Sequence, residues 1–200
     1  MNSMSPSGKV RPPLEAAVIR VFDVMFSVVG LALGLPLLLV LLLLGWLETG
    51  SPLFRQERVG RYRQPFTLVK FRTMRPDTAS VATHLASGSA VTPVGRFLRR
   101  TKLDELPQLW NVLKGDMSLV GPRPCLFNQE ELVRERAQRG VYDWRPGITG
   151  LAQIQGIDMS TPRLLAETDR EMLAHLTVYD YFRYIFWTFL GRGVGDRIVK

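Results

Sequence analysis

The chain has one cysteine, Cys125, in 200 residues. A single thiol closes no internal disulfide, which suits a reducing compartment. There are two histidines: His84 reads as an exposed loop residue and His175 as a structural or interfacial one. Acids are also scarce. Eighteen Asp and Glu face 26 Lys and Arg, a formal net charge of +8. That balance points to an anionic partner, whether nucleic acid, anionic lipid or a phosphorylated substrate. RNA recognition wants aromatics interleaved with the bases, and residues 55–75 offer mainly Tyr62, Phe66 and Phe71. No internal repeat is present, and the only biased stretch is a leucine-rich run. The length suits one domain, with or without an appended membrane segment.

The most pronounced lack is of charge between residues 24 and 47, where none occurs. As a straight helix these residues span about 36 Å, enough for a hydrocarbon core of about 30 Å. The plain reading is a transmembrane helix. Two features favour a re-entrant one. Pro36, after Gly30 and Gly34, is expected to break the helix. Both flanks are also basic: Lys9, Arg11 and Arg20 before the run, and Arg55, Arg58, Arg61, Arg63, Lys70, Arg72 and Arg75 after it. The positive-inside rule puts basic flanks on the cytoplasmic side, so a helix–break–helix that enters and leaves by one face satisfies both ends. A signal peptide is not expected, because Gly45-Trp46-Leu47-Glu48 is a poor cleavage site. Residues 1–13, rich in Ser and Pro, read as a disordered basic tail.

Beyond Gly50-Ser51-Pro52, residues 53–59 and 65–72 read as two strands of a hairpin. Phe66, Leu68 and Lys70 alternate with Thr67, Val69 and Phe71. Lys70 and Arg72 flank Phe71 and are expected to project inward. Residues 76–92 lack hydrophobic period and read as a mobile loop; 94–100 reads as a short basic helix. Residues 129–138 alternate acids and bases, a solvated helix. Residues 141–150 read as a turn-rich loop. Thr161-Pro162 starts a helix with Glu167, Asp169 and Glu171 on its wet face. Residues 177–190 carry seven aromatics with only Asp180 and Arg183 charged. That composition suits an amphipathic helix in the water–lipid boundary, with a buried core helix as the alternative.

Residues 101–124 concentrate the chemistry. Asp104 and Glu105 precede Pro107, and a helix over about 105–114 would place that proline in its first turn and Asp104 near the N-cap. Acids at helix starts are commonly just dipole partners. Here Arg96, Arg99, Arg100 and Lys102 precede them, and Gly121-Pro122-Arg123-Pro124 holds an arginine between two prolines, where little chain entropy remains to lose on binding. Carboxylates among arginines stay ionised. An ionised carboxylate coordinates Mg²⁺ or attacks phosphorus, and arginines suit a diphosphate.

Lys70-Phe71-Arg72-Thr73-Met74, the Leu103–Leu109 segment, the run from Asn111 to Pro124, and Arg145-Pro146-Gly147-Ile148-Thr149-Gly150 stand together in an order that resembles the monotopic phosphoglycosyl transferases, the bacterial sugar transferase family. The resemblance covers most of the chain from about residue 18, and the length resembles the small form of the family. It implies a mixed α/β, helix-rich monotopic membrane protein. Its parts are a re-entrant N-terminal helix at 14–50 broken at Pro36, and a catalytic domain at 51–200 with a short β-hairpin. Interfacial amphipathic helices surround a cytosolic active site. It implies transfer of a sugar-1-phosphate from a UDP-sugar to polyprenol (undecaprenyl) phosphate at the cytoplasmic face of the bacterial inner membrane. Asp104 would attack the β-phosphate and release UMP. Asp104 and Glu105 would hold Mg²⁺. Lys70, Arg72, Arg99, Arg100, Pro122, Arg123, Pro124 and Arg145 would line the substrate site. The family's helix break is a Ser-Pro pair; here Leu35 precedes Pro36. Membrane lipids are expected partners and nucleic acid is not; the oligomeric state stays open. Two alternatives remain open: a hexose-1-phosphate transferase initiating exopolysaccharide, and a non-catalytic, membrane-anchored basic binding protein.

Overall fold

The computed structural model describes residues 13–78 and 90–191. The expected tails at 1–12 and after 191, and residues 79–89 of the expected loop with His84, lie outside them. Helix α1 runs Pro13–Thr49 with Pro36 inside it. The chain stays helical across Pro36, so the expected helix–break–helix is one element here. A proline removes only its own hydrogen bond to the carbonyl four residues back, and the leucines around it favour helix. Among the described residues, α1 alone is long and apolar enough to cross a membrane. Its middle is bare: Leu33, Leu35, Leu39, Val40 and Leu43 are all more than half exposed.

Both ends of α1 pack on the rest of the chain. Ile19 joins a core with Val120, Leu173 and Tyr181. Leu41 joins another with Phe71 and Leu98. Asp23, fully buried, accepts hydrogen bonds at Oδ1 from Ser118 Oγ (3.0 Å), the Leu119 amide (2.9 Å) and Tyr181 Oη (2.9 Å). A buried carboxylate needs such donors, and these three fasten α1 to two later elements.

Strands β1 (Leu53–Val59) and β2 (Pro65–Phe71) form the expected antiparallel hairpin, with Leu53 opposite Phe71 and Val59 opposite Pro65. Helix α2 (Pro93–Thr101) follows, then a 3-10 turn at Leu103–Glu105 and helix α3 (Gln108–Lys114). Pro107 stands just before α3 rather than inside it, because the acid pair occupies a separate turn. Strand β3 (Ser118–Val120) pairs parallel with β4 (Gly147–Thr149), a second sheet that the turn-rich reading of 141–150 does not anticipate. Between them lie the Pro-Arg-Pro segment and α4 (Glu130–Gln138). Helices α5 (Leu151–Gln155), α6 (Pro162–His175) and α7 (Val178–Phe189) complete the described residues. Helix α7 is capped reciprocally by Thr177 and Asp180. It buries Tyr181 and Tyr184 and exposes Tyr179, Phe186 and Phe189, an amphipathic distribution of aromatics.

The wet faces assigned to α4 and α6 need correction. Arg136 and Asp169 are among the most buried side chains of the molecule. Arg136 donates from Nε (2.9 Å) and Nη2 (2.7 Å) to Asp169 Oδ2. Each residue sits among exposed charges in sequence, and only the docking of α4 on α6 selects which is turned inward. The neighbours Glu167 and Glu171 are exposed, as expected.

Candidate active site

The acid pair is held between two helices. Helix α2 ends at Lys102, whose left-handed φ of 58° turns the chain into the 3-10 turn. Asp104 is buried, 4% exposed, and Glu105 is half-buried beside it. Helix α3 is pinned to β2 through Asn111, which donates to the Thr67 carbonyl (2.7 Å) and accepts from the Val69 amide (3.0 Å).

Arg123 reaches this turn from the Pro-Arg-Pro segment. Its Nη2 donates to Glu105 Oε1 at 2.8 Å. The backbone behind it is fixed at three successive carbonyls. Pro122 O accepts from the Gly147 amide (2.9 Å), Arg123 O from Arg136 Nη1 (2.8 Å) and Pro124 O from Arg58 Nη1 (3.1 Å). Pro122 and Pro124 are buried; they shape this backbone rather than face outward. Gly121 and Gly147 cross with their backbones in contact, and a Cβ on Gly121 would lie 2.6 Å from the Arg145 carbonyl oxygen. No side chain fits at that crossing.

Arg99 also belongs to this end of α3. Its Nε donates to Thr73 Oγ1 (2.7 Å), which follows the hairpin. Its Nη1 is buried with no hydrogen-bond partner among the described residues. An unpaired buried guanidinium donor is costly and marks a place where an anion would be welcome. Burial is the main influence pushing Lys102 below the usual lysine range; Glu105 opposes that shift and Arg123 adds to it.

The other expected residues lie on β2, just after it, on α2 and at the far end of α3. Lys70 is buried on the inner face of β2, its Nζ 5.7 Å from the centre of the Phe54 ring. Arg72 turns back to the start of β1, donating from Nε to Ser51 O (2.9 Å). Arg100 is exposed on α2. Arg145 lies at the far end of α3, donating from Nε to Gly115 O (2.8 Å). Since α3 has seven residues, about 10 Å of helix separates that contact from the acid turn. Arg20 joins Arg145 there, donating to Val112 O (2.7 Å) and Leu113 O (3.1 Å). Sequence reasoning missed Thr73, Arg136 and Asp169 as supports of the site. Thr73 alone carried a signal, as part of the Lys70–Met74 motif.

Among the described residues no three His, Cys, Asp or Glu side chains come together. Mg²⁺ is nonetheless suited to one or two carboxylates supplemented by substrate phosphates, and Asp104 and Glu105 fit that donor set.

Residues 14–192 match the bacterial sugar transferase family. The chain is 44% identical over 164 residues to the UDP-glucose:undecaprenyl-phosphate glucose-1-phosphate transferase of Caulobacter vibrioides, covering 75% of this chain and 61% of that one. It is 40% identical over 161 residues to the exopolysaccharide production protein PSS of Rhizobium leguminosarum bv. phaseoli, covering 75% and 80%. It is 38% identical over 154 residues to the undecaprenyl-phosphate galactose phosphotransferase of Salmonella typhimurium, covering 68% and 32%. The chain thus spans about three fifths of the Caulobacter relative and one third of the Salmonella one. The match runs through α1, the acid turn, the Pro-Arg-Pro segment and α7 alike, and the chain belongs to the bacterial sugar transferase family.

Proposed function

We propose that this protein moves a hexose-1-phosphate from a UDP-sugar to undecaprenyl phosphate, the first membrane step in building an exopolysaccharide. One observation carries the reading: a buried carboxylate, Asp104, stands beside a carboxylate–guanidinium pair, on the same segment as an arginine whose buried Nη1 has no partner among the described residues. That set suits displacement at a phosphate. The names of the Caulobacter and Salmonella relatives supply the acceptor, and that of the Rhizobium protein the pathway.

An Asp104 carboxylate oxygen attacks the β-phosphorus, forming an acyl-phosphate bond while the bond from that phosphorus to the bridging oxygen breaks. UMP leaves with that oxygen. A phosphate oxygen of undecaprenyl phosphate then attacks the same phosphorus, and the bond to Asp104 breaks. The products are the free carboxylate and a sugar diphosphate lipid. Asp104 and Glu105 would hold Mg²⁺, which would supply neutralising positive charge to the diphosphate. Arg99 directs an Nη1 donor at a phosphate oxygen, and Arg123 keeps Glu105 oriented. In the test, Asp104→Asn is expected to lower UMP release from the UDP-sugar without acceptor by about a thousandfold or more at unchanged melting temperature. Near-normal release would exclude Asp104 as nucleophile.

We also propose a re-entrant placement for α1. Arg20 and Asp23 near its start and Glu48 near its end all bond to the same domain. A helix standing straight across a bilayer would put those ends on opposite faces. Cysteines introduced as Ser5→Cys and Lys200→Cys are expected to react with an impermeant reagent from the same, cytoplasmic side; labelling from opposite sides would rule the placement out.

A further inference from the structure

A second positively charged site lies away from the acid turn. A cavity of about 120 Å³ opens between the first turns of α1, the end of α6 and the turn at Val141–Asp143. One water needs about 10–15 Å³ on this measure, so the space takes a group of several heavy atoms. Three guanidinium groups line it: Arg20, Arg61 and Arg145. Each is anchored by carbonyls. Arg20 holds Val112 and Leu113, Arg61 Nε holds Asp143 O (2.9 Å), and Arg145 Nε holds Gly115 O. Among the described residues, no hydrogen bond uses the Nη groups of Arg61 or Arg145. Burial, and then the charges of Arg20 and Arg61, push the Arg145 guanidinium below its ordinary range. These cations therefore repel one another at short range.

Two carboxylates also line the cavity. Asp23 Oδ1 is committed to three donors, and its Oδ2 lies 3.9 Å from Arg20 Nη1. Asp143 is at the exposed rim. Three cations thus face two acids, one of them largely spoken for. Arginine forks with free Nη donors match phosphate geometry.

The location indicates where such an anion would come from. The cavity is lined by Ala16, Ile19, Arg20 and Asp23, and the uncharged run of α1 starts at Val24, the next residue. If α1 enters the bilayer there, the cavity sits at headgroup depth. We infer that Arg20, Arg61 and Arg145 form a phosphate-binding site, separate from the acid turn, that takes the phosphodiester of a membrane lipid headgroup or free phosphate. Only the lipid source depends on the placement proposed for α1; the anion chemistry does not.

The full chain in a neutral detergent tests this. Native mass spectrometry would compare retention of phosphatidylglycerol with that of diacylglycerol, which lacks the phosphate. A parallel titration would follow the melting temperature with inorganic phosphate against chloride at matched ionic strength. The acid turn is itself expected to accept phosphates, so the reading is the difference between wild type and Arg61→Gln, which leaves Asp104 and Glu105 untouched. Arg61→Gln is expected to weaken the bound anion about tenfold. Asp143→Asn removes a rim acid yet keeps the carbonyl that Arg61 uses, and is expected to tighten binding about two- to fivefold; a gain of that kind does not arise from misfolding. Retention of phosphatidylglycerol over diacylglycerol would identify a headgroup, and a response to inorganic phosphate alone would identify the free ion. Equal binding by wild type and both variants would overturn the site. UMP release plays no part in these readings, so failure of the proposed reaction and failure of this site are separable.

Discussion

The two ends of α3 both gather charge, but with opposite consequences. At its C-terminal end Arg20 and Arg145 spend donors on backbone carbonyls of residues 112, 113 and 115. Cations there complement the helix dipole and satisfy carbonyls that a helix end leaves unpaired. At its N-terminal end the acids are not used as caps: neither the 3-10 turn nor α3 has a side-chain cap. Glu105 is held by a guanidinium from another segment, and Arg99 keeps a donor unspent. One end closes a helix through carbonyls held by two arginines; the other sets two carboxylates in a turn beside a guanidinium from another segment.

Substitutions can break that contrast, and the largest effect is expected behind the acid turn. Asp169→Ala leaves Arg136 buried without its carboxylate, which should cost about 3–5 kcal/mol. Denaturant unfolding would report this as a large drop in midpoint. That arginine also holds the Arg123 carbonyl, so residual activity in the folded fraction should fall as well. Next comes Arg20→Ala, expected to cost about 1–3 kcal/mol because the carbonyls it serves lose their donor. The turnover of the folded fraction should stay close to wild type; a loss of turnover with no loss of stability would make both ends of α3 catalytic. The smallest effect is Arg123→Lys. The charge survives but the planar fork that holds Glu105 does not, and kcat/KM should fall by about tenfold, or about 1.4 kcal/mol, with little change in melting temperature.

Much of the frame was legible in the sequence. Alternation placed the two strands of the hairpin, Thr161-Pro162 started α6, and the density of aromatics marked α7 as two-sided. The acid turn and the Arg123 segment were legible as motifs, and they do meet. Other features depend on contacts between remote elements. Strands β3 and β4 have three residues each, too few for an alternation to show, and they exist because two glycines let their backbones cross. The Arg136–Asp169 pair hides among exposed charges of the same kind. The sequence shows Asp23 only as the last acid before an apolar run; its three donors come from residues 118, 119 and 181. Arg72 and Arg145 were legible by motif, but the carbonyls of residues 51 and 115 that their Nε groups hold are a matter of local geometry that residue type does not encode.

Glu48, at the end of α1, accepts the amide of Val94 in the first turn of α2 at 3.1 Å, while Arg20 near its start closes α3. The long apolar helix therefore finishes both helices that flank the acid turn. It works less as a leash than as a splint. A protein trimmed of residues 13–49 in the hope of a soluble enzyme would lose a cap at each of those helices and uncover Phe71 and Leu98. The anchor and the catalytic centre have to be handled, purified and engineered as one folding unit.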